Sequence, residues 1–216
     1  MKKNFTSTAV LLLLTSITYA QNSSYGFHAG TSIGKIEGKQ DNRSYTFRNL
    51  INVQAGFLAE FKASKNISFQ SGVNYVQKGG TLEEDFFGTD IEASIRLHTI
   101  EIPVYALYRT GGNKGNFFIG AGPAVSFSIA GNTVMKNNGE EESEKMEIGN
   151  DEENDNIRAI DFGINVLAGY QFKSGVFIGA THNFGLRNMV PGNDPEMGTA
   201  ITSYYGFRIG YMFGKR

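Results

Sequence analysis

The chain has 216 residues and a formal net charge of −1, a balance that gives no electrostatic case for nucleic-acid binding. It contains no cysteine, which excludes disulfides, thiolate metal sites and a lipid-modified cysteine. Gly 27 and 12% aromatic residues without Trp point to many short strands and tight turns in one all-β domain.

Residues 1–20 read as a secretory signal: Lys2 and Lys3, an apolar core over 9–14 continuing to Ile17, then Thr18, Tyr19 and Ala20 at a small-residue cleavage position. That core is too short to span a bilayer, and residues 21–216 hold no apolar run of the length a spanning helix needs. The expected mature domain is therefore 21–216.

In chain order, Tyr25, Phe27, Ala29 and Ile33 alternate with Gly26, His28, Gly30 and Ser32, which predicts a first strand. A polar connection is expected over 34–49. Val53, Ala55, Phe57, Ala59 and Phe61 then share one parity against Asn52, Gln54, Gly56 and Glu60, with Leu58 alone spoiling the polar set. The chain reverses at 62–66, and Ile67, Phe69, Val73 and Tyr75 resume the apolar parity. A second polar segment follows over 81–96.

The fourth strand, 97–109, sets Ile100, Ile102, Val104, Ala106 and Tyr108 against Thr99, Glu101, Tyr105 and Arg109. After a compact turn at 110–115, the fifth strand covers 116–130, with Pro123 on its apolar parity predicting a local irregularity. The acidic segment 131–158 is expected to stay out of any core. The sixth strand, 160–172, sets Ile160, Phe162, Ile164, Val166, Ala168, Tyr170 and Phe172 against Asp161, Gly163, Asn165, Gly169 and Gln171. In the seventh, 176–186, Phe177 and His182 fall on the faces opposite to expectation. A loop over 187–200 leads to the last strand, 201–213.

Eight strands are thus joined by connections that run long, short, long, short, long, short, long. Transmembrane barrels have an even strand number with short periplasmic turns and longer external loops, so both termini are expected to be periplasmic. The apolar parity is nearly free of charge, and its rings gather at two depths, as two bilayer interfaces favour. The predicted fold is an all-β, eight-stranded antiparallel up-and-down transmembrane β-barrel, with the small polar parity facing a filled interior. On that inward parity Glu101 and Arg208 fall near mid-height. An ion pair between them is expected, because an isolated charge there would be costly.

The segments Ser71-Gly72-Val73-Asn74-Tyr75-Val76-Gln77-Lys78-Gly79-Gly80, Ile100-Glu101-Ile102-Pro103-Val104 and Phe118-Ile119-Gly120-Ala121-Gly122-Pro123 resemble the PorT-type outer membrane β-barrel domain family. In that family a G-x-x-Y-x-x-K-G strand end, an I-E-I-P strand and a G-x-G-P strand recur in this order. The resemblance covers essentially the whole mature chain and implies an outer membrane barrel of a Gram-negative cell. It implies little about activity and carries over no functional residue.

A search for chemistry finds His28 inward near the periplasmic end, His98 near the external end and His182 on the lipid-facing parity. They do not converge with a serine and a carboxylate, so no catalytic residue, cofactor or metal site is assigned. The acidic stretch 140–155 reads as a solvated external loop. Its functional reading is weak divalent-cation binding that bridges lipopolysaccharide, or docking of a basic envelope protein. The expectation is a monomeric, non-enzymatic protein among outer membrane lipids, with a structural, envelope-interaction or adhesive role in its external loops. The alternative is a small-molecule or lipid-binding barrel with a narrow inner pocket near His28 and Glu60.

Overall fold

The computed structural model describes residues 23–40, 43–86, 89–112, 114–137, 140–151, 153–192 and 198–214, so the expected signal at 1–20 lies outside the described residues. Nine strands form: β1 Ser23–Gln40, β2 Arg43–Lys62, β3 Ile67–Phe86, β4 Thr89–Arg109, β5 Gly115–Asn137, β6 Glu140–Lys145, β7 Ile160–Phe172, β8 Val176–Gly185 and β9 Thr199–Phe213. All except β6 join one antiparallel ring, which closes through β1 with β9 and β4 with β5. The ring is the predicted eight-stranded barrel. Every strand edge inside it is paired, the condition for carrying backbone through hydrocarbon. β6 stands outside the ring, on the far part of β5 beyond the point where β7 ends.

The apolar parity is the outer face. Phe57 is 73% exposed, Val104 49% and Ile164 45%, on strands spread around the ring. At the end that holds the three tight turns with Ser23 and Gly214, outward rings meet in a belt: Phe117 with Tyr170 at 4.7 Å, Tyr170 with Phe172 at 4.9 Å and Phe27 with Phe213 at 5.7 Å. At the opposite, loop end His182 stacks on Tyr205 at 4.1 Å, and Tyr75 lies 6.0 Å from His98. Rings that are apolar in body and polar at the tip suit the two interfaces of a bilayer.

The strands run beyond the band that sequence alternation marks. The polar connection expected over 34–49 is instead a hairpin, with β1 reaching Gln40 and β2 starting at Arg43. Likewise β3 and β4 pair as far as Phe86 and Thr89, replacing the polar segment expected over 81–96. Backbone ladders do not depend on an apolar face. Past the hydrocarbon the outer face meets water, so polar residues continue the strand there without the apolar face that would announce it, while Ile36 and Leu97 stay buried on the inner side. A register shift between Gly34 and Ile36 and another between His98 and Thr99 mark where the ladders bend on leaving the band.

Pro123 sits opposite Ile164 in the ladder to β7, where register is kept. On its other side the β4–β5 ladder is interrupted between the Pro103–Ala124 and Ala106–Ala121 pairs without losing register. The irregularity expected there is thus a gap in pairing rather than a bulge.

Inward glycines make room for neighbours that cross the lumen. A Cβ on Gly210 would fall 2.5 Å from the Phe177 ring, and one on Gly169 2.4 Å from Phe118 Cζ. Placing Arg at Val104, in the middle of the outer face, is expected to cost about 2–4 kcal/mol of folding free energy in lipid vesicles, against at most about 1 kcal/mol for Arg at Thr46 beyond the band. Urea unfolding read by heat-dependent gel mobility measures both.

Candidate functional site

The interior is stacked in layers of alternating polarity. Nearest the turn end, Arg109 meets Glu60 in a two-pronged contact, Nε to Oε1 at 2.7 Å and Nη2 to Oε2 at 2.5 Å, while its Nη1 donates to Gln171 Oε1 at 3.0 Å. Planar guanidinium against carboxylate is the strongest form of such pairing. Above it lies an apolar cluster that includes Leu58, Leu107, Phe118, Leu167, Phe177 and Met212. The inward face is therefore less uniformly polar than the small-residue parity suggests. Leu58 and Phe177, which break the alternation of their strands, belong to this cluster together with Leu107, Phe118, Leu167 and Met212 on the same inward parity.

A second polar layer is centred on Glu101, which is 0% exposed. Its Oε1 accepts from Tyr204 Oη at 2.8 Å and Asn165 Nδ2 at 2.9 Å, and its Oε2 accepts from Ser126 Oγ at 3.2 Å. Lys78 Nζ stands 3.6 Å from Glu101 Oε2 and 3.1 Å from Asp161 Oδ2, and donates to Ser126 Oγ at 2.9 Å. Thr202 Oγ1 also donates to Asp161, and Asn183 Nδ2 to Asn165 Oδ1. One buried cation is thereby held between two buried carboxylates; hydroxyls and an amide satisfy both oxygens of Glu101, whereas at Asp161 Lys78 and Thr202 share Oδ2 and Oδ1 has no partner.

The expected partner of Glu101 was Arg208; the ion pair within 4 Å is formed by Lys78 instead. Arg208 lies in the next layer towards the turn end, opposite Gly179, with its guanidinium 5.7 Å from the Phe177 ring centre. It reaches Glu101, Tyr105 and Tyr204 through space rather than by contact. Lys78 was missed because the following Gly79-Gly80 makes it look like the start of a loop. Its parity with Gln70, Asn74 and Val76 was the available signal.

Above the Glu101 layer, Leu97 from β4, Ile157 and Met189 form an apolar stopper, with Ile95, Met146 and Ile148 against it. The acidic segment 131–158 therefore does enter a core, contrary to expectation. Its three isolated apolar residues are pulled from among the carboxylates to cover the mouth. Arg158 pins the stopper: its backbone N donates to Met189 O at 2.8 Å, its Nε to Val190 O at 2.8 Å and its Nη2 to Gly192 O. Further out, Asp151 caps a small turn. The Asn154 amide and the Glu153 backbone N–H hold its carboxyl below the usual carboxylate range.

The three histidines stay apart. His28 bonds Asn74 Oδ1 at 3.0 Å inside the lumen, His98 bonds Tyr75 Oη at 2.6 Å, and His182 bonds Tyr204 O at 3.1 Å. Among the described residues no group of three or more His, Cys, Asp or Glu side chains is placed to hold a metal. A space of about 50 Å³ opens beside Glu60 and Arg109 at the turn end, and one of about 10 Å³ lies between Arg109, Phe177 and Arg208. His28 lines neither, and each has room for little more than water. The narrow pocket expected near His28 and Glu60 is filled by the Glu60–Arg109 pair and the rings above it.

Replacing Lys78 by Met leaves two carboxylates facing each other, and a loss of about 3–5 kcal/mol is expected. Adding Asp161→Asn to that variant is expected to recover part of the loss. In double-mutant cycles read by urea unfolding, Lys78 is expected to couple to Glu101 more strongly than Arg208 does.

A family model described as "Outer membrane protein beta-barrel domain" matches residues 19–190. No curated protein sequence matches the chain. Among solved structures it is similar to Ail, the attachment invasion locus protein of Yersinia pestis, at 11% identity and a TM-score of 0.41 over 89% of this chain and 99% of that one. It is also similar to Neisserial surface protein A at 12% identity and a TM-score of 0.39, covering 87% and 97% of the two chains. The N-terminal β-barrel domain of Pseudomonas aeruginosa OprF is likewise similar, with 13% identity, a TM-score of 0.37 and 89% and 98% covered. A closed ring with rings and aliphatics outside, charges matched inside and a family match over most of its length make this chain a member of the outer membrane protein β-barrel domain family, with its place in the outer membrane.

Proposed function

We propose that this protein is a monomeric, non-enzymatic outer membrane barrel of the PorT type, made with a cleaved signal in a Gram-negative cell, whose role is carried by its loop end. The observation that supports this reading is the filled lumen. Two charged layers, an apolar layer and an apolar stopper occupy the interior, so neither a conducting path nor a small-molecule pocket is built into it. What the chain elaborates instead is the loop end, where β3, β4, β5 and β6 continue the sheet past the membrane band. β6, all of whose residues are exposed, ends that sheet with Glu140, Glu141, Glu142 and Glu144. A rigid acidic ribbon on a sealed barrel suits an envelope-interaction or adhesive task better than transport. Lipopolysaccharide bridged by divalent cations, or a basic envelope protein, are the partners its charge would accept.

With both termini and the tight turns placed in the periplasm, Ser143 faces the medium and Ser64 does not. Because the chain has no native cysteine, a membrane-impermeant maleimide tests this on whole cells. Ser143→Cys is expected to label at once, and Ser64→Cys only after the outer membrane is permeabilised. Replacing Glu140, Glu141, Glu142 and Glu144 by Gln is expected to leave heat-dependent gel mobility unchanged while altering cell adhesion or sensitivity to detergent plus chelator. If neither phenotype moves, the role does not reside in this ribbon.

A further inference from the structure

The outer wall carries a groove of about 870 Å³ that the barrel's own packing does not explain. Its floor is small: β7 and β8 face each other there through Ala168 with Ala180 and Gly169 with Gly179. Phe117 and Tyr170 rise on one side, Phe207 and Ile209 on the other. The surfaces are almost wholly hydrocarbon, and the groove starts at the turn-end rim, where Thr110 lines it.

The rim adds charge. Thr110 and Phe117 close a turn through a 2.9 Å bond from Thr110 N to Phe117 O and a 3.1 Å bond from Phe117 N to Thr110 Oγ1, and that turn carries Lys114. The neighbouring turn touches it, with Lys173 N donating to Lys114 O at 3.4 Å. Both lysines are exposed, as are Lys62 and Lys65 on the third turn. Among the described residues of this end no acidic side chain is exposed, since Glu60 is buried against Arg109.

We propose that this groove holds an acyl chain of an anionic phospholipid whose phosphate is met by Lys114 and Lys173. The alternative occupant is a second copy of the barrel, and the charge argues against it. Copies inserted in the same sense bring their lysine-bearing turns to the same level, so packing groove to groove would set like charges together. A phosphate at that level is attracted instead by the same lysines. The small floor then has a reason: it lets one hydrocarbon chain lie flat between ring walls, with its headgroup at the basic rim. The site is independent of whatever the loop end binds.

The test uses the full-length mature chain refolded in phosphatidylcholine vesicles containing a minor fraction of phospholipid brominated on its acyl chains. The chain has no Trp, so Ile209→Trp places a single indole on the groove wall, and Phe57→Trp places one on β2 away from it. Heat-dependent gel mobility confirms that each variant is folded. Brominated phosphatidylglycerol is expected to quench the Ile209→Trp indole about fivefold more effectively than brominated phosphatidylcholine at low salt, with no such preference at Phe57→Trp. Adding Lys114→Gln and Lys173→Gln is expected to remove the preference. Equal quenching by the two lipids, or a preference that survives loss of both lysines, overturns the proposal. So does an Ile209→Trp indole shielded from both lipids, which would identify a second copy as the occupant.

Discussion

Closing eight strands into a ring removes every backbone edge from the hydrocarbon, and the same closure leaves a lumen too narrow to hydrate what points into it. Each inward charge must therefore find its counter-charge among the other inward side chains. The described buried charges are Glu60, Lys78, Glu101, Arg109, Asp161 and Arg208, three of each sign. Glu60 and Arg109 neutralise each other directly. Lys78 between Glu101 and Asp161 leaves one negative charge over, and Arg208 supplies the matching positive one from the adjacent layer. The interior is neutral as a whole although only part of it is neutral pair by pair.

That arrangement explains the layering. Rings and leucines between the two charged levels keep water from joining them, and a low local dielectric strengthens the pairings within each level. The stopper of Leu97, Ile157 and Met189 does the same at the loop end. Burial raises the penalty for any unmatched group, and Glu101 is accordingly surrounded by Tyr204, Asn165 and Ser126 as well as by Lys78. Stability and closure of the path are thus one property of the same side chains.

The barrel was legible in the sequence because its membrane band imposes a period of two on eight strands, and Phe57, Val104 and Ile164 declare the outer face unambiguously. Glu101 and Arg208 were legible as inward charges near mid-height, but the cation within 4 Å of Glu101 is Lys78. Depth along a tilted strand cannot be read closely enough to separate Lys78 from Arg208, and a Gly-Gly pair next to Lys78 imitates a loop. The extensions of β1 to β5 read as connections because their outward residues turn polar once the strand leaves the hydrocarbon, while inward ones such as Ile36 and Leu97 stay buried. Met146, Ile148 and Ile157 were hidden for the opposite reason, as single apolar residues diluted among carboxylates whose partners, Leu97 and Met189, come from distant segments.

A net charge of −1 conceals a strongly divided molecule. Exposed lysines, Lys62, Lys65, Lys114 and Lys173, occupy the turn end without an exposed described carboxylate, whereas Glu140, Glu141, Glu142, Glu144 and Glu147 stand at the loop end among exposed Lys39, Arg43, Arg48, Lys136 and Lys145. The two ends do not meet comparable surroundings. A ring of lysines at headgroup depth is drawn to lipid phosphate and fixes how deep the barrel sits, much as the belt of Phe117, Tyr170 and Phe172 just inside it does. Carboxylates at the loop end carry no such attraction, and beside β6 they are partly offset by Lys136 and Lys145. The two ends therefore differ in what they offer phosphate: among the described residues the charged side chains exposed at the turn end are all basic, whereas the loop end mixes both signs around an edge strand rich in glutamate.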